Sequence, residues 1–239
     1  MASGGAVGSA WRSHYVSLHD SEVEKMARAS ARSTMVGSLQ RHMQLSVRDS
    51  KEDGFDRMEK CRFALQVLDE NGWMRSFHQR QFHNNYIRAV ARVFFKADGD
   101  GAFMRAHQRL LQANSWSHIQ SEVLISTPRR FGKTISVSLF AAAMIFSCSA
   151  CEISIYSTCK RISQKLLRNV LRFLNIIFDA LKIPKFKTMR ENCEEIIFNG
   201  PDGPQDIRVV NSYPSKVIPL STETAHLILA CACCVCGVW

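Results

Sequence analysis

Residues 123–147 constrain this chain more than any other stretch. The apolar run Val123, Leu124 and Ile125 predicts a short buried strand, Thr127 to Phe131 a loop, and Lys133 to about Ser147 an apolar helix. A strand that enters a loop from which a helix leaves aims the helix's free backbone N–H groups at whatever fills the loop, and that geometry suits phosphate. Gly132 lets the backbone approach closely, Lys133 offers a charge to β- and γ-phosphates, and the Thr134 hydroxyl can ligate Mg²⁺. The usual phosphate loop reads G-x-x-x-x-G-K-S/T, and Thr127 stands here in place of its first glycine. Gly-Lys-Thr alone also occurs in exposed turns, so the flanking strand and helix carry the argument. Two guanidinium groups lie inside the loop. Arg129, with Arg130 as the alternative, is placed to stabilise charge on a transferring phosphoryl group, unless one or both simply cradle phosphate or face solvent.

Downstream the elements alternate. Strands are expected at Ile153 to Tyr156, Glu195 to Phe198, Ile207 to Val210 and from Leu227 to Leu229, with a long helix from Ile162 to Leu181. This rhythm predicts an α/β domain, a P-loop NTPase-like parallel sheet flanked by helices. Upstream, the pattern predicts a helical N-terminal region: one helix from Phe55 to a turn at Asp69 to Gly72, a second over roughly Met74 to Phe95, and a short one around Met104 to Gln112. The 239 residues thus divide into a polar, partly disordered or weakly helical segment 1–53, a helical lead-in 54–101, the nucleotide-binding domain 102–229 and a Cys-rich tail 230–239. Asp98, Gly99, Asp100 and Gly101 lack the ligand spacing and terminal Glu of an EF-hand.

Charge narrows the partners. The chain carries a formal +10, and residues 161–190 hold 8 basic side chains against one acidic. On a helix Arg161, Lys165, Arg168 and Arg172 fall within about 60° of one another, opposite an apolar face of Ile162, Leu166, Val170, Leu174, Ile177 and Leu181. Such a stripe is either a solvated charged face or a surface for phosphates. The two longest apolar runs, 135–151 and 225–239, fall short of the ~20 residues of a spanning helix, so no membrane association is expected. Nine cysteines without a secretory signal read as reduced, which predicts an intracellular, non-secreted protein. The C-x-C-C-x-C spacing of the tail fits no tetrahedral zinc site.

Pro128-Arg-Arg-Phe-Gly-Lys-Thr134 resembles the deviant Walker A loop of the viral large terminase subunit, the DNA-packaging motor ATPase of tailed phages, herpesviruses and related large DNA viruses. Met104-Arg-Ala-His-Gln108 looks like the adenine-recognition Gln motif of those ATPases, and Ser157-Thr-Cys-Lys160-Arg161 like the motif that links nucleotide to DNA. Trp73 to Ala91, with its Phe82-His-Asn-Asn-Tyr-Ile-Arg-Ala89, is similar to their helical lead-in. The resemblance covers roughly residues 73–229 and implies the N-terminal ATPase part only. It implies ATP and Mg²⁺ as cofactors and ATP-driven translocation of double-stranded DNA. It further implies portal and capsid proteins as partners and a nuclear or viral-factory location for a virus-derived chain, and it leaves a homo-oligomer possible. Gln108, Arg130, Phe131, Gly132, Lys133 and Thr134 would hold the nucleotide, Thr134 the metal, Lys133 and Arg129 would act catalytically, and Lys160, Arg161, Lys165, Arg168 and Arg172 would bind DNA.

The sequence departs from the family where an Asp-Glu pair should end the strand His226 to Leu229. Ala230-Cys231 stands there, and no carboxylate follows Glu223. The domain therefore reads as truncated near Walker B and impaired in hydrolysis. A helicase-like DNA repair or remodelling ATPase and a non-catalytic DNA-binding fragment are the alternatives.

Overall fold

The computed structural model describes residues 53–99, 101–119, 124–125, 131–157, 160–214, 226–231 and 236–238. The expected N-terminal segment lies outside them except for Asp53, which starts helix α1 (Gly54–Glu70). Its carboxylate accepts from the N–H groups of Phe55 and Asp56, and Asp56 answers with a bond to the Asp53 N–H, a capping box. Gly54 is required beside it, because a Cβ there would stand 2.4 Å from the ring of Phe95.

The single helix expected over Met74 to Phe95 is instead α2 (Phe77–Ala89), α3 (Ala91–Phe94) and a 3-10 turn at Lys96–Asp98. Ser76, a strong N-cap, sets the start of α2, which leaves Arg75 outside the helix with its N–H donating to Asp69. Helix α4 (Ala102–Asn114) is slightly longer than expected and buries Ala102, Ala106 and Leu110.

Among the described residues seven strands form one mixed sheet: β1 (Leu124–Ile125), β2 (Glu152–Ser157), β3 (Lys187–Glu191), β4 (Glu195–Asn199), β5 (Ile207–Pro214), β6 (His226–Cys231) and β7 (Cys236–Val238), in the order β1-β7-β6-β2-β5-β4-β3. The expectation of a parallel sheet holds only at its centre, where β2 runs parallel to β5 and β6. Strands β3, β4 and β5 pair antiparallel, and β7 runs antiparallel to both β1 and β6. Connection length decides this: residues 192–194 and 200–206 join the β3–β4–β5 ribbon, and a parallel crossover needs a dozen residues or more. Strand β3 escaped the sequence reading because all five of its residues are exposed on the edge of the sheet and show no apolar alternation. Strand β7 lies in the stretch read as a tail.

Helix α5 (Lys133–Ser147) follows β1, and α6 (Lys160–Leu181) follows β2; the two pack on each other and reach β5, while α1 covers them from the far side. Of the 15 residues of α5, 12 are buried, which explains its all-round apolar character without a membrane. Its last turn ends on a buried charge. Arg208 Nη1 donates to the carbonyls of Ile145 at 2.7 Å and Phe146 at 3.1 Å, and its guanidinium is held two-pronged by Asp206 and stacks 4.3 Å from the Phe186 ring. A cation here satisfies carbonyls that a helix end leaves open and opposes the helix dipole.

The start of α6 is tied to β5 by a reciprocal pair, Ser163 Oγ to the Ser212 carbonyl at 3.3 Å and Ser212 Oγ to the Ser163 carbonyl at 3.0 Å. These bonds let polar Ser212 continue β5 beyond the Ile207 to Val210 expected from sequence. Cys61, Cys148 and Cys151 are free and buried near that end of α5, where burial first of all raises their thiols above the ordinary range, Cys148 to about 11. They are core residues, not nucleophiles.

Candidate functional site

The carboxyl ends of β1, β2, β5 and β6 share one edge of the sheet, the edge at which ligands bind in open α/β folds. Helix α5 begins at that edge. Gly132 is its N-cap, in the left-handed conformation with φ +85°, a backbone that side chains other than glycine rarely adopt. Lys133 and Thr134 are the first two helical residues, both half-buried, so the motif's lysine and hydroxyl leave the chain where the helix N–H groups are open. Arg129 and Arg130, with Thr127 and Pro128, lie outside the described residues.

Helix α2 grips the start of α5. Gln79 Nε2 donates to the Phe131 carbonyl at 3.0 Å, and the same atom stands 3.0 Å from where a Gly132 Cβ would be. One turn on, His83 Nε2 meets the Ser136 carbonyl at 2.8 Å, while its Nδ1 lies 2.9 Å from Arg75 Nη1. Arg75 can only donate, so Nδ1 is the acceptor, and the proton sits on Nε2, facing Ser136. Asp69 fixes Arg75 with bonds of 2.9 and 3.0 Å to its guanidinium and 2.7 Å to its N–H. Burial, and then the Arg75 cation, pull His83 down to about 3, so the ring is neutral at physiological pH. Phe82 adds an aromatic contact, its ring 5.7 Å from that of Phe131.

Gln108, expected to read adenine, is exposed on α4, a helix whose contacts include the 3-10 turn, α3 through Arg92 over the Phe103 ring, and α1 through Arg109 over the Phe55 ring. Among the described residues, the glutamine that reaches the α5 N-terminus is Gln79. The signal for it was in the sequence, since Ser76-Phe-His-Gln79 is a capping-box pattern, but which backbone its free amide hydrogen would meet depends on how α2 packs.

The basic helix stands as expected on its two faces. Arg161, Lys165, Arg168 and Arg172 are exposed on α6, and Leu166, Val170, Leu174, Ile177 and Leu181 are buried, with Ile162 half-buried at the start. Arg172 lies over the Trp73 ring at 4.9 Å, and Trp73 in turn packs edge-on against Phe173. Lys160 differs from the others: it pairs with Glu194 at 3.2 Å, and that hydrogen bond raises it above the ordinary lysine value.

At the end of β6, register sets Ala230 beside Tyr156 and Cys231 beside Ser157, at the carboxyl edge where an acidic pair would serve a nucleotide site. No group of three His, Cys, Asp or Glu among the described residues is arranged to hold a metal, and no described helix is long and apolar enough to cross a membrane. No protein-family model and no curated protein matches the chain.

Proposed function

We propose that this chain is the nucleotide-binding part of a terminase-like DNA-packaging motor, which binds ATP at the start of α5 and double-stranded DNA along α6. The observation that carries the reading is Gly132 in the left-handed conformation, followed at once by Lys133 and Thr134 as the first turn of a buried helix at the carboxyl edge of the sheet. Helix N–H groups, a lysine and a hydroxyl there match the needs of a β/γ-phosphate. Arg129 or Arg130 would supply charge to the transferring phosphoryl group from within the same chain. Adenine reading by Gln108 belongs to the same proposal and asks that α4 face the base. The portal and capsid partners and the nuclear or viral-factory location rest on the family resemblance alone.

The donor set for Mg²⁺ is thin. Thr134 offers one hard oxygen, but Ala230 and Cys231 at the β6 end offer a methyl and a soft sulfur, which do not suit this cation. The residues fit a metal brought in and held by the nucleotide's own phosphates better than a protein-held one. With Ala230 and Cys231 standing where an acidic pair would orient water, this reading pairs nucleotide binding with weak hydrolysis. The same observation favours a second reading, a DNA-binding module without catalysis.

Lys133→Ala tests the main reading. Removing the charge aimed at the phosphates should weaken a fluorescent ATP analogue roughly 10- to 150-fold, the loss of one charge-assisted hydrogen bond. Equal dissociation constants for both proteins would end the nucleotide assignment and leave the DNA-binding module.

The α6 stripe is tested by salt. Each phosphate neutralised on a duplex contributes about 0.9 to the slope of log K against log salt, so replacing Lys165, Arg168 and Arg172 with Gln should lower that slope by roughly 2 to 3. A folded triple variant with the original slope would return the stripe to a solvated face.

A further inference from the structure

We infer that Gln79, assisted by His83, is a positioning residue that holds the backbone of the phosphate-binding loop from helix α2. The inference rests on the nucleotide reading of the α5 N-terminus and adds to it the part of the chain that keeps the loop in shape. Two side chains one turn apart on α2 reach two main-chain carbonyls of one segment, Phe131 at 3.0 Å and Ser136 at 2.8 Å. Residues i and i+4 lie on one helix face, so a single docking of α2 sets both bonds.

The Gln79 amide is held from both ends. Its Oε1 accepts from the Ser76 N–H at 2.9 Å as half of the capping box, and Ser76 Oγ accepts from the Gln79 N–H at 3.3 Å. With the oxygen turned toward its own helix cap, the NH₂ is left pointing at the loop. A glutamate would serve the cap equally well, so the donor, which only glutamine adds, is the part the loop uses. The bond is made to the carbonyl that precedes Gly132, the residue whose left-handed backbone turns the chain into α5. It fixes the peptide plane between Phe131 and Gly132 and so aims the first free N–H groups of the helix. His83 performs the same service one turn later, and Asp69 and Arg75 keep its proton on the nitrogen that faces Ser136.

Two variants separate this role from simple capping. Gln79→Glu keeps the acceptor for Ser76 but sets a carboxylate against the Phe131 carbonyl; Gln79→Met keeps the length and removes all polarity. In the ligand-free protein both should speed amide hydrogen exchange over residues 132–136 about 3- to 10-fold while Met58 to Leu68 of α1 stay as protected as before. Both should weaken the fluorescent ATP analogue by a similar factor, and Gln79→Glu, with its cap intact, should melt within about 2 °C of the parent. Unaltered exchange at 132–136 in both variants overturns the role of Gln79, and so does faster exchange with undiminished nucleotide affinity. Loss of affinity in Gln79→Glu alone would make it a matter of added negative charge, which also overturns the role. Lys133→Ala run alongside keeps the two questions apart: if it binds the analogue as the parent does, the nucleotide reading fails whatever Gln79 does to exchange.

Discussion

Asp206→Ala is expected to cost about 3–5 kcal/mol of stability, a large share of what a domain of this size has. Arg208 is buried beside it, and Asp206 supplies both the counter-charge and two of the hydrogen bonds, at 2.8 and 2.7 Å. The same carboxylate accepts from the Ala150 N–H at 3.0 Å, at a residue with φ +47° in the turn that leaves α5. Burial alone would raise Asp206, but its hydrogen bond to Arg208 and that residue's charge outweigh it and hold the carboxyl below its ordinary value. The alanine variant therefore leaves a guanidinium in the core with the Ile145 and Phe146 carbonyls and the Phe186 ring beside it but no counter-charge. Urea denaturation of the two proteins would measure the loss, and a difference under about 1 kcal/mol would mean that Arg208 relaxes to solvent instead of staying at the α5 terminus. Replacing Arg208 by Met as well should recover part of the loss, because an uncompensated charge costs more than an apolar side chain in the same place. Recovery stays partial, since the carbonyls of Ile145 and Phe146 lose their donor.

Between pH 6.5 and pH 3 His83 should make the fold progressively less stable as acid is added. The folded ring resists protonation down to about 3, whereas in the unfolded chain it takes a proton near its ordinary 6.5. In that window the unfolded state binds more protons, so stability falls by roughly 1.4 kcal/mol for each pH unit below the unfolded value, about 2 kcal/mol by pH 5. The groups facing the imidazole are the Arg75 cation, the more distant Asp69 carboxylate, the Ser136 carbonyl and the Phe140 ring stacked 5.9 Å away. None offers an anion close enough to stabilise an imidazolium against Arg75. His83→Gln, which can donate to Ser136 and accept from Arg75 without titrating, should be less stable than the parent at pH 7.5 yet lose less between pH 7 and 5. Parallel stability-pH curves for the two proteins would show that His83 is not the group that titrates.

Local order along the chain was legible because its causes are local. Period and burial placed α1, α5 and α6, and the turn at Asp69 to Gly72 was marked by its own residues. The two faces of α6 followed from helical spacing alone, which is why Arg161, Lys165, Arg168 and Arg172 are exposed as expected, and Lys160 at the start of the helix is exposed with them. Lys160 was the exception in kind, because its partner Glu194 comes from the β3–β4 connection, thirty-odd residues on. Gly132, Lys133 and Thr134 were readable as the turn into a helix, since a glycine before an apolar helix is a signal carried by neighbours in sequence.

What needed the tertiary structure was every relation between segments distant in the chain. The sheet is mixed and not parallel because the β3–β4–β5 connections are too short to cross over and β7 enters between β1 and β6, facts of pairing that periodicity does not hold. Edge strand β3 carries charged residues on both faces, so nothing in its composition distinguishes it from a loop. Among glutamines, Gln108 fitted a motif by its distance from the loop lysine, but Gln79 is the one whose amide meets the Phe131 carbonyl, 52 residues away. The amino-acid sequence alone thus determined the turn into α5 and the amphipathic faces of the helices, because hydrophobic spacing and capping act over a few residues. Packing of α2 against α5 decided which polar side chains serve that turn, because a hydrogen bond depends on ångström-scale placement that only the assembled core provides.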